Sequence, residues 1–139
     1  MKEFKIFPDV ISLQSISVVE KNHRIGGRSV FEGIVRNKND GREVKGLEYE
    51  CYESLAIKEG HQILDEAIEK FDLFDAFCIH RVGSLEIGET AVIILATSSH
   101  RDQSFKGCRY IIDEVKHRVP IWKKERYKDG ESEWLKGAG

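Results

Sequence analysis

Residues 90–134 read TAVIILATSSHRDQSFKGCRYIIDEVKHRVPIWKKERYKDGESEW, and this stretch decides the fold. Thr90 to Ser98 is the most apolar segment of the chain, which predicts a short strand at the centre of a sheet. Asp102 to Val119 carries apolar residues at helical spacing and stops at Pro120. At about 100° per residue, Phe105, Cys108, Ile111, Ile112, Val115 and Val119 form one apolar stripe. The stretch Pro120-Ile121-Trp122-Lys123-Lys124 reads as a stiff turn anchored by Trp122.

Upstream, Phe4 to Phe7 reads as a short strand stopped by Pro8, and Val10 to Val19 as a helix of poor propensity. Arg28 to Arg36 reads as a strand entered through Gly26-Gly27, and Asn37 to Gly46 as a polar loop. Leu47 to Tyr52 alternates as a strand should. Leu55 to Phe71 has helical spacing, Ala76 to Val82 reads as a strand, and Gly83 to Glu89 as a turn. Strands and helices mix without strict βαβ alternation, so the expected class is α+β, in a single domain spanning residues 1–139.

The chain has 139 residues and a formal net charge of −2. Residues 99–128 hold nine Lys/Arg against four Asp/Glu, a local +5, which leaves −7 elsewhere. A basic segment in an acidic chain points to a localised anion site. The longest apolar run, Ala91 to Ala96, is too short to cross a bilayer, and MKEFKIFPDV lacks the apolar stretch of a secretory signal. Cys51, Cys78 and Cys108 are odd in number and widely spaced, which argues for a reducing cytoplasm and buried, inert thiols. No Cys-x-x-Cys or His-x-x-x-His spacing suggests a metal site.

His100 and Arg101 fall where the apolar strand ends and the helix begins. Free backbone N–H groups at a helix start favour an anion, and His and Arg add donors; phosphate is the natural ligand, although a helix entry with solvated charges has the same sequence. Asp102 is a candidate N-cap there. Lys116 falls beside Arg109 on the edge of the apolar stripe. Desolvation and a like charge both lower an amine's pKa and make lysine a base or nucleophile, although a snorkelling boundary lysine has the same spacing. Lys123, Lys124 and Glu125 follow the Trp122 anchor, and Arg36 ends a strand; surface charges occupy such places too. Arg101 and Lys116 are fifteen residues apart, about 22 Å along a continuous helix. One small ligand cannot touch both within one chain, so either they serve different ligands or two subunits pair across the site.

Four blocks then combine. They are Gly27-x-x-x-Phe31-x-Gly33-x-Val35-Arg36-Asn37, His80-Arg81-Val82-Gly83-x-Leu85-x-x-Gly88-Glu89, Ser99-His100-Arg101-x-x-x-Phe105, and Lys116-x-x-x-Pro120-Ile121-Trp122-Lys123-Lys124-Glu125. In this order and spacing, from about Gly26 to Trp134, the chain resembles the large, catalytic subunit of molybdopterin synthase, the MoaE family. The resemblance implies an α/β hammerhead-type α+β domain, with a mixed or antiparallel sheet and flanking helices. It implies a homodimer in which each chain binds one small ubiquitin-like sulfur carrier, MoaD-like, giving a heterotetramer. It also implies a sulfurtransferase that moves two sulfurs from the carrier's C-terminal thiocarboxylate onto cyclic pyranopterin monophosphate, forming the molybdopterin dithiolene without metal or cofactor.

By motif, Lys116 matches the family's catalytic lysine and Lys123 a second functional lysine. Arg36, His100 and Arg101 match substrate-contacting positions, with Ile34 and Val35 beside Arg36, and Lys124 and Glu125 bordering the same pocket. Gly27 stands where alanine is common. After Trp134 only Lys136 could stand in for an arginine that family members often carry.

Three other readings have their own signatures. A nucleic-acid module conflicts with the negative overall charge and the lack of an RNP-like aromatic pattern. A cysteine-dependent transferase would need Cys51 or Cys108 exposed and ionised. A non-catalytic scaffold for a ubiquitin-like partner would keep its function without Lys116.

Overall fold

The computed structural model describes residues 1–16 and 22–137. Its elements are β1 (Lys2–Phe7), a 3-10 turn (Leu13–Ser15), β2 (Gly27–Ile34), β3 (Lys38–Asn39), β4 (Arg42–Cys51), α1 (Glu53–Phe71), β5 (Asp75–Arg81), β6 (Gly83–Glu86), β7 (Thr90–Ser98), α2 (Arg101–Arg118), β8 (Ile121–Tyr127), β9 (Gly130–Glu131) and β10 (Leu135–Lys136). Four strands form one sheet in the order β1-β5-β7-β2; β1 runs parallel to β5 and the other pairs are antiparallel. A second, antiparallel sheet runs β10-β8-β4-β3, with β6 paired to β4 and β9 to β8. The expected α+β class, with mixed and antiparallel sheets and flanking helices, holds.

As its composition requires, β7 is central, and every residue from Ala91 to Ser98 is buried. Strand alternation sends Val92, Ile94 and Ala96 into the main core under the helices. It sends Ile93 to the opposite face, where Ile79 and Ile11 meet it. α1 lies on β1 and β5, α2 lies on β7 and β2, and the helices touch each other. Gly60 permits this closeness, since a Cβ there would sit 2.3 Å from the Phe4 ring. Cys108, Ile111, Ile112 and Val115 face the sheet as the stripe predicts. Phe105 does not, being 62% exposed. Ser104 and Gly107 occupy that turn's inner face instead, with Ser104 bonded to Ser29 at 3.0 Å, so Phe105 turns outward.

Several expectations need correction. The expected helix from Val10 to Val19 is only the short turn at Leu13–Ser15 among the described residues; Ser17, Val18 and Val19 lie outside them. Ser15 Oγ accepts the Ser12 N–H at 3.0 Å, a local bond that competes with helix, and Ile11 is drawn down onto the sheet. The loop from Asn37 to Gly46 is a hairpin. Asn39 pairs with Arg42, and the two residues between them, Asp40 and Gly41, both have positive φ (50° and 75°). Asp-Gly favours that backbone, and this was the overlooked signal. Part of the Gly83–Glu89 turn is strand β6.

The stiff turn after Pro120 is strand β8. Pairing to β4 supplies its backbone partners, and alternation sets Ile121, Lys123, Glu125 and Tyr127 on one face. The N-cap of α2 is His100 rather than Asp102; the His100 N–H donates to Gln103 Oε1 at 3.3 Å, while Asp102 pairs with Lys106 at 3.1 Å.

His80, fully buried on β5, adds a pH dependence to this core. Its Nδ1–H donates to the Arg81 carbonyl at 2.6 Å, and its ring meets Tyr49 edge-on at 4.8 Å. Desolvation outweighs that bond and pushes the imidazole pKa down to about 4 from 6.5. The unfolded state therefore binds the extra proton first. The resulting stability is full above about 6.5 and is lost as pH falls toward 4, a change of about 3 kcal/mol. Urea unfolding of wild type and His80→Leu at pH 7 and pH 4 checks this. The wild type should lose about 3 kcal/mol more than the variant; equal losses would contradict it.

Candidate active site

Two adjoining cavities meet at Gly33. The first, about 100 Å³, lies where the end of β2 approaches β4 and β8, and Ile34, Val35, Arg36, Lys38, Lys123 and Glu125 help line it. The second is a groove of about 610 Å³ between β2 and α2. Phe31, Phe105, Cys108 and Ile112 give it apolar walls, and Arg28, Arg109, Asp113 and Lys116 supply its charges. Gly33 lines both. A Cβ at position 33 would stand 2.8 Å from Val92 Cγ1, so a side chain there would push against the buried β7 beneath the junction.

Of the sequence candidates, Ile34, Val35, Arg36, Lys123 and Glu125 come together in the first cavity, and Lys116 joins the second. Lys116 is exposed rather than packed on the stripe, and Arg109 pairs with Asp113 at 3.0 Å. Lys124 points to the opposite face of β8, where it pairs with Glu131 at 3.0 Å and lies 5.7 Å from the Trp134 ring centre. His100 and Arg101 are exposed at the far end of α2, about 22 Å of helical rise from Lys116. Beneath them the chain is tight: a Cβ on Gly27 would stand 3.1 Å from Arg101 Cα. After Trp134, β10 runs along β8, with Leu135 opposite Lys123 and Lys136 opposite Trp122. Lys136 thus lies beside the lysine-bearing strand.

Among the described residues, Glu125 is the only carboxylate lining the first cavity, and it is 3% exposed. Burial raises its pKa, but hydrogen bonds from Tyr127 and Asn39 and the Lys123 charge outweigh burial, and the net shift is downward. Its Oε1 lies 3.5 Å from Lys123 Nζ. Asn39, Lys38 and Tyr127 escaped sequence analysis because the hairpin and β8 did. The Asp40-Gly41 pair and the period of two after Pro120 were the available signals.

The thiols are ill-suited to attack. Burial pushes Cys108 up to about 11 and holds Cys51 and Cys78 above the usual thiol range. Among the described residues, no cluster of three or more His, Cys, Asp or Glu could hold a metal ion. Among them, too, no helix is long and apolar enough to cross a membrane.

Fold and site define an α+β protein with a cation-lined cavity at the junction of its two sheets. The family model described as MoaE protein matches residues 7–118. The molybdopterin synthase catalytic subunit of Pyrococcus abyssi is 39% identical over 94% of this chain and 87% of its own length. The crystal structure of molybdopterin synthase from Staphylococcus aureus superposes with a TM-score of 0.88 at 37% identity, covering 97% of this chain and 98% of that one. A Helicobacter pylori structure, a protein–protein complex of subunits 1 and 2 of molybdopterin-converting factor, shares the fold at a TM-score of 0.72 and 21% identity, covering 92% of this chain and 87% of that one. The chain belongs to the MoaE family, the catalytic subunits of molybdopterin synthase.

Proposed function

We propose that this chain, acting as one domain, is the large subunit of a cytoplasmic sulfurtransferase. It takes sulfur from the C-terminal thiocarboxylate of a small ubiquitin-like carrier. It adds two sulfurs to cyclic pyranopterin monophosphate, opening the cyclic phosphate and forming the molybdopterin dithiolene. The observation that carries this reading is the junction at Gly33, where an apolar groove bearing Lys116 opens beside a small cavity bearing Arg36, Lys38 and Lys123. An extended chain end suits the groove, and an anion suits the cavity. The H. pylori two-subunit complex fits the same division of labour.

In each transfer a carbon–sulfur bond forms on the substrate, a carbon–oxygen bond at that carbon breaks with the oxygen leaving as water or with the opened phosphate, and the carrier's acyl–sulfur bond breaks. The acyl carbon passes to water, directly or through the Lys116 amine, and the carrier leaves as a carboxylate. Lys116 serves as acid–base or as transient acyl acceptor; a kinetically competent carrier–Lys116 adduct selects the second role. Lys123, paired with Glu125, and Arg36 hold charge on the substrate, and the phosphate is the natural ligand for His100 and Arg101.

His100 and Arg101 reach a site containing Lys116 only from a second copy of the chain, because α2 separates them within one copy. The assembly is therefore a homodimer carrying two small subunits. Purified chain, thiocarboxylated carrier and cyclic pyranopterin monophosphate should yield dithiolene product. A folded, carrier-binding chain that yields none would favour the scaffold reading.

A further inference from the structure

Glu125 spends its two oxygens differently. Oε2 accepts hydrogen bonds from Asn39 Nδ2 at 2.9 Å and from the Tyr127 hydroxyl, while Oε1 alone faces Lys123 Nζ. Asn39 Nδ2 also donates to Tyr127 Oη at 3.1 Å, closing a three-membered ring of contacts. The Tyr127 ring is itself held from outside. The Arg42 guanidinium stacks 3.6 Å over it and pairs with Asp129 at 2.8 Å. A carboxylate this deeply buried needs such donors to stay ionised, and two bonds to one oxygen stop it from rotating.

We propose that Asn39 and Tyr127 are positioning residues that act through Glu125 to fix the Lys123 amine at the mouth of the first cavity. Neither lies on the sequence motifs that define the site. Asn39 is brought in by the β3–β4 hairpin and Tyr127 by the alternation of β8. Among the described residues, the other charged or polar groups that line the cavity with Lys123 are Arg36 from the β2–β3 connection, Lys38 from β3 and Tyr49, opposite it on β4; β10 places Leu135 there. Among the described residues Glu125 is thus the one anion lining that cavity, and its orientation sets where the amine sits. The inference rests on the reading of Lys123 as part of the synthase site.

Two readouts test it in Tyr127→Phe, which keeps the ring and the Arg42 stack, and in Asn39→Ala. With 15N-lysine labelling, the Lys123 Nζ resonance should move in both variants while that of Lys116 stays. In the sulfur-transfer assay kcat should fall about tenfold, the rate equivalent of one hydrogen bond to a charged group, with KM within about twofold. In a Glu125→Gln background neither substitution should lower kcat further, because both act through that carboxylate. An unmoved Lys123 resonance, or losses that add in the Glu125→Gln background, would overturn the inference. A resonance that moves in both variants, when the wild-type chain makes no product, would instead leave the positioning intact and defeat the synthase reading.

Discussion

Lys116→Ala is expected to lower dithiolene formation by at least about a hundredfold, the usual loss when a positioned acid–base or nucleophilic group is removed. Folding should be untouched. Lys116 is exposed on the last turn of α2, and a surface substitution of this kind shifts stability by no more than about 0.5 kcal/mol. Among the described residues its amine has no ion-pair partner, in contrast to Lys123 beside Glu125. The amine is therefore available to a ligand in the apolar groove that it borders, which the proposed function assigns to the carrier terminus. Lys116→Arg keeps the positive charge but offers neither base nor nucleophile near neutral pH, so it should be nearly as inactive as the alanine variant. Activity in Lys116→Arg close to wild type would reduce the role of Lys116 to charge alone. Full activity in Lys116→Ala would remove it from the mechanism.

The second large effect is a recovery. Lys116→Ala and Arg101→Ala should each be nearly inactive as pure proteins. Mixed and allowed to exchange subunits, they should regain about a quarter of wild-type activity, as two-fold symmetry dictates. Half of the dimers carry one copy of each variant. In each of those, one site receives both substitutions and the other receives Lys116 from one chain and Arg101 from its partner, both intact. The expectation follows from α2 itself, whose ends lie too far apart for one small ligand to bridge within a chain. No recovery, with subunit exchange verified by mass spectrometry, would mean that the two residues do not share a site.

The fold was legible where patterning was strong and local. β7 announces itself by six consecutive apolar residues, and α2 by a stripe ended at Pro120. The stripe's one failure, Phe105, came from small residues: Ser104 and Gly107 pack closest to the sheet, and helical periodicity weights bulk over closeness. β8 was missed for a different reason. Its inward face reads Ile121, Lys123, Glu125, Tyr127, so half of the expected apolar signal is replaced by the charged pair that lines the candidate site. A strand that carries a charged pair on its inward face hides from hydropathy.

The candidate site was legible to the same degree. Lys116, Lys123 and Arg36 carry their own chemistry and were found from sequence. Asn39 and Tyr127 matter through Glu125, and that relation exists only once the hairpin and β8 are folded together. Lys124 shows the converse: next to Lys123 in sequence, it lies on the other face of the strand, against Glu131.

The most direct test is a sulfur count. The purified chain is mixed with a small subunit bearing a 34S-labelled thiocarboxylate and with cyclic pyranopterin monophosphate, and the product is weighed by mass spectrometry. A dithiolene carrying two labelled sulfurs, with two carriers returned as carboxylates for each product formed, is the predicted result. No labelled sulfur in the pterin, from a folded chain shown to bind the carrier, would contradict the account.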